Sequence, residues 1–213
     1  MRKFLWMFVV VLMAVTMSSC NSCKKEKDNK SEDVKTPLIV ENVYNTDRQQ
    51  MFTTYGKNYN WFECCILLKD YMDSEECDGS VVGISNVFQV VTEIDSTSAD
   101  VHVILYSTTE EVKEIDEKHG LWVGDFPLND YTFNVTYMQA YEKMMNANCP
   151  KPHSRHCVLR RELGPMPNVN PQYIFGNDKM QVYVDAMTGE VRTKNPAYPE
   201  DFEPELGAWI NTK

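Results

Sequence analysis

Four side chains able to bind a soft metal ion stand close together in the second half of the chain: Cys149, His153, His156 and Cys157. Zinc takes sulfur and nitrogen ligands in a tetrahedron, so all four would have to converge on one point. Pro150 and Pro152 stiffen the intervening loop, and His156 and Cys157, as neighbours on a strand, would point to opposite faces. The spacing matches no standard zinc motif. Two other readings stay open for these residues: a disulfide from Cys149 to Cys157 or to a more distant thiol, and an ordinary turn followed by a strand. Metal- or thiol-dependent chemistry on His153, His156 and Cys157 is therefore a minor alternative. Nucleophilic catalysis needs a thiol or hydroxyl beside a base that a third group orients, and no local signature such as a nucleophile elbow is present. His102 falls in an alternating strand pattern and His119 in a charged turn, which reads as structural or solvent-facing placement. The expectation is a protein that is not an enzyme, with no cofactor and no resident metal.

The same segment carries charge. Arg155, Arg160 and Arg161 join His153 and His156 as the basic cluster of a chain whose formal net charge is −10. These five residues either pair with the acidic loop Asp73–Asp78 or form a docking patch for a partner. A proline-stiffened loop loses less entropy on binding, and arginine is enriched where interfaces concentrate their energy. The acidity of the whole argues against nucleic acid, which selects a basic face. Trp61, Tyr71, Tyr198 and Trp209 suit a glycan platform or a core equally well, so a surface glycan- or peptide-binding accessory is a further alternative.

The elements that must hold these residues begin after a distinctive start. Arg2 and Lys3 precede an apolar run, Phe4 to Val15, and Thr16-Met17-Ser18-Ser19 leads into Cys20. Basic, apolar and small residues in that order describe a secretory signal, too short for a comfortable membrane span. Because the small residues meet a cysteine, the segment resembles a bacterial lipoprotein signal with its lipobox, although Met17 stands where leucine is usual. That resemblance implies removal of residues 1–19 and acylation of Cys20. It also implies an anchor in the bacterial envelope, at the outer membrane, on its periplasmic or surface face. Residues 20–36 follow as a tether: Asn21 to Lys35 contains no aromatic residue and too little apolar surface to offset the entropy of ordering. Its charges resemble, loosely, the surface-export signals of Bacteroidetes lipoproteins.

From Pro37 onward the pattern predicts a helix capped by Thr46 or Asp47 and stopped at Gly56. A strand, Trp61 to Lys69, then shows Phe62, Cys64, Ile66 and Leu68 on one face. Ile84 to Ile94 and Val101 to Tyr106 read as a hairpin, and Leu121 to Phe126 as a short strand. A helix from Thr136 to Asn148 presents Met138, Tyr141, Met144 and Met145 as its buried stripe. His153 to Leu163 is a strand, and Gln172 to Gly176 with Met180 to Asp185 a second hairpin. The tail from Asn195 is irregular, docked by Trp209 and Ile210. The two halves, 37–130 and 131–213, each offer a helix followed by three strands. The expected class is α+β, helices packed on antiparallel sheet, as two tandem units or as one continuous domain.

The ending Met180-Gln-Val-Tyr-Val-Asp-Ala-Met-Thr-Gly-Glu-Val191, preceded by the Ala140 helix, resembles a PepSY-type module. Val184, Asp185, Ala186, Thr188, Gly189, Glu190 and Val191 occupy its hairpin positions. The resemblance implies a small, non-enzymatic, cystatin-like envelope domain with a binding or regulatory role. Locally, Gly189 would supply a positive φ and Asp185 would bond the turn backbone.

One outcome follows from the sequence alone. Several acyl chains hold a protein on a membrane where a single chain barely does. Replacing Cys20 by Ala should move the protein from the membrane pellet to the soluble fraction. A Cys20→Ala protein that stays in the pellet with its signal removed would contradict the lipid anchor.

Overall fold

Alternation at period two, repeated in strand after strand, builds a sheet that dominates the described residues. The computed structural model describes residues 37–95, 98–122, 126–162, 170–177 and 179–194. The expectations for Cys20, residues 1–36, the tail from Asn195, Tyr198, Trp209 and Ile210 lie outside them. The elements are α1 (Val40–Tyr55), β1 (Tyr59–Leu68), β2 (Val81–Asp95), β3 (Ser98–Thr109) and β4 (Lys113–His119). They continue with α2 (Tyr137–Asn146), β5 (His156–Arg160), β6 (Gln172–Gly176), β7 (Gln181–Asp185) and β8 (Val191–Lys194).

All eight strands form one sheet in the order β4-β3-β2-β1-β5-β6-β7-β8, antiparallel at every pair. This overturns the expected α+β class of helices packed on antiparallel sheet, as two tandem three-stranded units or one domain. Among the described residues the protein is β-rich, with two helices on one continuous sheet, and each helix precedes four strands. The fourth strand of the first half was illegible for a physical reason. β4 reads Lys-Glu-Ile-Asp-Glu-Lys-His and every residue of it is exposed, so no apolar alternation marks it. Such a charged strand suits a sheet edge, where it discourages pairing with another chain. Of the strand expected at Leu121–Phe126, Leu121, Trp122 and Phe126 are described, and all three lie outside any element.

Both helices cover the same face. Trp61, Cys64, Ile66, Phe88, Leu159, Tyr173, Phe175 and Val184 are buried beneath them. A bulge between Trp61 and Glu63 sets Trp61, in place of the expected Phe62, in line with Cys64, Ile66 and Leu68. The Trp61 ring lies 5.1 Å from Tyr44 of α1. β5 pairs with β1 from Glu63 to Leu67. The remaining edge of β1 is closed by Leu128 and Asn129. Leu128 N donates to Trp61 O at 2.6 Å, Trp61 N donates to Asn129 Oδ1 at 2.7 Å, and Asn129 Nδ2 donates to Tyr59 O at 3.0 Å.

α1 begins at Val40, earlier than its expected cap, and buries Val40, Tyr44, Asp47 and Met51. Asp47 is thus no cap but the one charged member of the buried stripe. Its Oδ2 accepts from Asn86 Nδ2 of β2 at 2.8 Å, and Lys113 Nζ of β4 reaches Oδ1 at 2.7 Å. Gly56, with φ +62°, ends the helix as expected. α2 starts in a capping box between Thr136 and Gln139. Its buried stripe is Tyr137, Ala140, Tyr141 and Met144, whereas Met138, expected inside, is exposed. Lys151 Nζ donates to the Met144 and Met145 carbonyls at 2.6 Å, a cation on the negative end of the helix. Glu41 of α1 accepts from Tyr137 N at 2.7 Å and joins the two helices.

Asp47→Ala would strand the buried Asn86 amide and leave Lys113 without that carboxylate. Losing a buried partner of this kind costs about 1–3 kcal/mol. Urea unfolding should show a lowered midpoint with an unchanged slope. An unaltered midpoint would mean that the Asp47 contacts do not hold α1 to the sheet.

Candidate functional site

The face of the sheet opposite the helices is where the basic segment contributes most. On β5, residues alternate: Cys157 and Leu159 enter the core, while His156, Val158 and Arg160 share the other face. In register beside them lie Leu67, Cys65 and Glu63 of β1, then Gly83, Ser85 and Val87 of β2. A groove of about 450 Å³ runs here, lined by Leu67, Gly83, Ser85, Ser107, His156 and Val158 among others. Its floor is low at Gly83, which has no side chain. Ser85 and Ser107 hydroxyls meet across β2 and β3 at 3.0 Å. At the other end Arg160 Nη1 lies 3.7 Å from Glu63 Oε2, and Cys65 Sγ donates to Glu63 Oε1 at 3.4 Å.

The five basic residues do not form one patch. His156 and Arg160 share the groove face. His153 precedes β5, exposed, stacked on Tyr71 at 4.4 Å with its Nδ1 2.9 Å from Asp73 Oδ2. The basic segment therefore meets the acidic loop through a histidine. Arg155 Nε donates to Leu68 O at 2.8 Å, an internal bond at the end of β1. The Arg161 guanidinium lies over the Phe126 ring at 4.2 Å and 5.9 Å from that of Tyr131.

The turn after β7 is built as its sequence suggests. Gly189 has φ +76° and its N–H donates to Asp185 O at 2.8 Å. Asp185 Oδ1 accepts from Met187 N and Thr188 N, both at 2.8 Å. Burial alone would raise the Asp185 pKa. The Thr188 and Met187 N–H groups, with Asn170 and Gln172, outweigh it and hold the carboxyl below its ordinary value.

The proposed ligands Cys149, His153, His156 and Cys157 are not assembled. Cys157 is in the core, His156 is exposed on the opposite face, and Cys149 is half-buried. Cys64, Cys65, Cys77, Cys149 and Cys157 are all free thiols, so the Cys149–Cys157 disulfide does not form. Burial pushes the Cys64 and Cys157 thiols well above their usual pKa, and burial beside Glu63 pushes Cys65 up to about 12. These are not thiolates at neutral pH, and thiolate is the reactive form.

Among the described residues, a different trio is close enough to share a metal: Asp100, His102 and His119, on β3 and β4. Sequence reasoning missed it because β4 carries no strand signal and the expected strand began at Val101, one residue after Asp100. An Asp-x-His pair on a strand, followed by a histidine one hairpin later, was the available clue.

Comparison with known protein families, with curated proteins and with solved structures returns no match. No helix among the described residues is long and apolar enough to cross a membrane.

Native protein treated with iodoacetamide at neutral pH should leave Cys64 and Cys157 unmodified and modify Cys65 slowly, with all three labelled after unfolding in urea. Mass spectrometry of the digests reads this directly. Rapid native labelling of Cys157 would revive thiol chemistry there.

Proposed function

We propose that this protein is a lipid-anchored binding module of the bacterial envelope, with no chemistry of its own. It engages a protein partner on the sheet face opposite its helices. The observation that carries the reading is the alternation of β5, which sets His156, Val158 and Arg160 on that face beside the groove. A rigid sheet presents these side chains without ordering cost. The groove is within the size range that encloses a side chain or short loop of a partner. Its mixture of an apolar floor, hydroxyls and one imidazole suits a polypeptide, which offers apolar side chains and amides together. The resemblance of residues 180–191 to PepSY modules supports a binding role, and the lipobox-like Cys20 supports the anchor.

The test places a photo-crosslinking residue at Ser85 in cells, with a control at the exposed Met138 on α2. A discrete protein adduct from Ser85, absent from Met138 and lost when Val158→Arg is added, is the expected result. Far-UV circular dichroism and the melting temperature of the purified variants should match the parent. No adduct from Ser85, or equal adducts from both positions, would overturn the assignment of this face.

A further inference from the structure

The register of β3 and β4 sets His102 directly opposite His119, and Asp100 lies two residues before His102 on the same face. The Asp100 carboxylate stands between the two imidazoles. Its Oδ2 is 2.9 Å from His102 Nε2 and its Oδ1 is 3.3 Å from His119 Nδ1. The rings are 4.5 Å apart between centroids. A second carboxylate approaches from β4: Glu117 Oε1 is 2.7 Å from His102 Nδ1, off the in-line hydrogen-bond direction.

His102 has a carboxylate oxygen within 3 Å of both ring nitrogens, Asp100 at one and Glu117 at the other. Two anionic side chains thus flank one imidazole, with a second imidazole, His119, beside Asp100.

We propose that Asp100, His102 and His119 form a binding site for a divalent first-row transition metal, of which Zn²⁺ is the reference case. Two imidazole nitrogens and a carboxylate are a donor set such ions favour. Tetrahedral zinc with ordinary bond lengths holds its ligand atoms about 3.3 Å apart. Here each imidazole meets its own oxygen of Asp100, at 2.9 Å for Oδ2 and 3.3 Å for Oδ1, and one ligand atom from each of the three residues lies within 4.8 Å of the others. Small side-chain rotations suffice to close the set. Glu117 has the part of the outer carboxylate that orients a metal-bound histidine through its other nitrogen. It is a positioning residue. Three protein ligands leave a fourth position open. The neighbours across β2 are Val90, in register with His102, and Thr92, in register with Asp100. Both also line a basin of about 720 Å³ at the end of α1.

This site is independent of the groove, which opens on the other face of the sheet. It is tested on the full chain, purified in detergent and stripped with EDTA, by calorimetric titration with Zn²⁺ alone and by the visible spectrum of added Co²⁺. One equivalent of Zn²⁺ should bind with a rise in melting temperature, and Co²⁺ should give the absorption of a tetrahedral nitrogen–oxygen site. His119 is exposed, so His119→Gln should fold normally yet lose at least about tenfold in affinity, and Glu117→Gln should lose about tenfold through His102. His153→Gln should bind as the parent does. Absence of stoichiometric Zn²⁺ binding would overturn the proposal. Binding that survives His119→Gln but disappears after alkylation of the thiols would overturn it in favour of the free cysteines.

Discussion

Everything in this structure hangs on the pairing of β1 with β5. Each is the first strand of a four-stranded meander, and each would otherwise present an unpaired edge at the middle of the sheet. Their ladder runs from Glu63 opposite Arg160 to Leu67 opposite His156. Cys64 with Leu159 and Ile66 with Cys157 bury one side of it, and the Glu63–Arg160 ion pair marks its register on the other. A slip of one residue would send Cys157 and Leu159 to the groove face and His156 into the core. The core and the recognition face are therefore two consequences of a single register.

The two faces are unlike because only one is covered by helices. α1 and α2 lie on the same side, joined by the Glu41 carboxylate at the first turn of α2. Burying an acid such as Asp47 under α1 is costly unless it is paired and hydrogen-bonded. Asn86 and Lys113 meet that condition from β2 and β4, so the one charge in the helix stripe ties α1 across the sheet to its exposed edge. Every residue of β4 is exposed, so its other attachment is its ladder with β3, from His119 opposite His102 to Lys113 opposite Thr108.

What the sequence made legible follows the same physics. The hairpins β2–β3 and β6–β7 could be read because β-branched and aromatic residues alternate along them. The Asp185–Gly189 turn could be read because its chemistry is local. The merging of two halves into one sheet was hidden, since β1 and β5 are distant in sequence and nothing in either names its partner. Asp47 looked like a cap because an isolated acid in an apolar stripe more often starts a helix than sits inside one. The bulge at Trp61–Glu63 shifted the core face by a residue, which no strict alternation foresees. The candidate metal cluster needed the register of β3 against β4, and β4 offers only charge to read.

β3 places the two candidate sites on one strand. Asp100 and His102 stand near its start on the helix side, and Ser107 stands near its end on the groove side. β4 is held against it by the Lys113 contact with Asp47 at one end and by the histidine–carboxylate cluster at the other. Glu114 of β4 lies in register with Ser107 at the groove rim. A cation bound by Asp100, His102 and His119 would add a further link between β3 and β4 at that end of the ladder. The strand beside the rim would then be firmer while the rim residues stayed unaltered. Any influence of the metal on partner binding would accordingly act through the order of β4, because the ligands and the groove face opposite sides of the sheet.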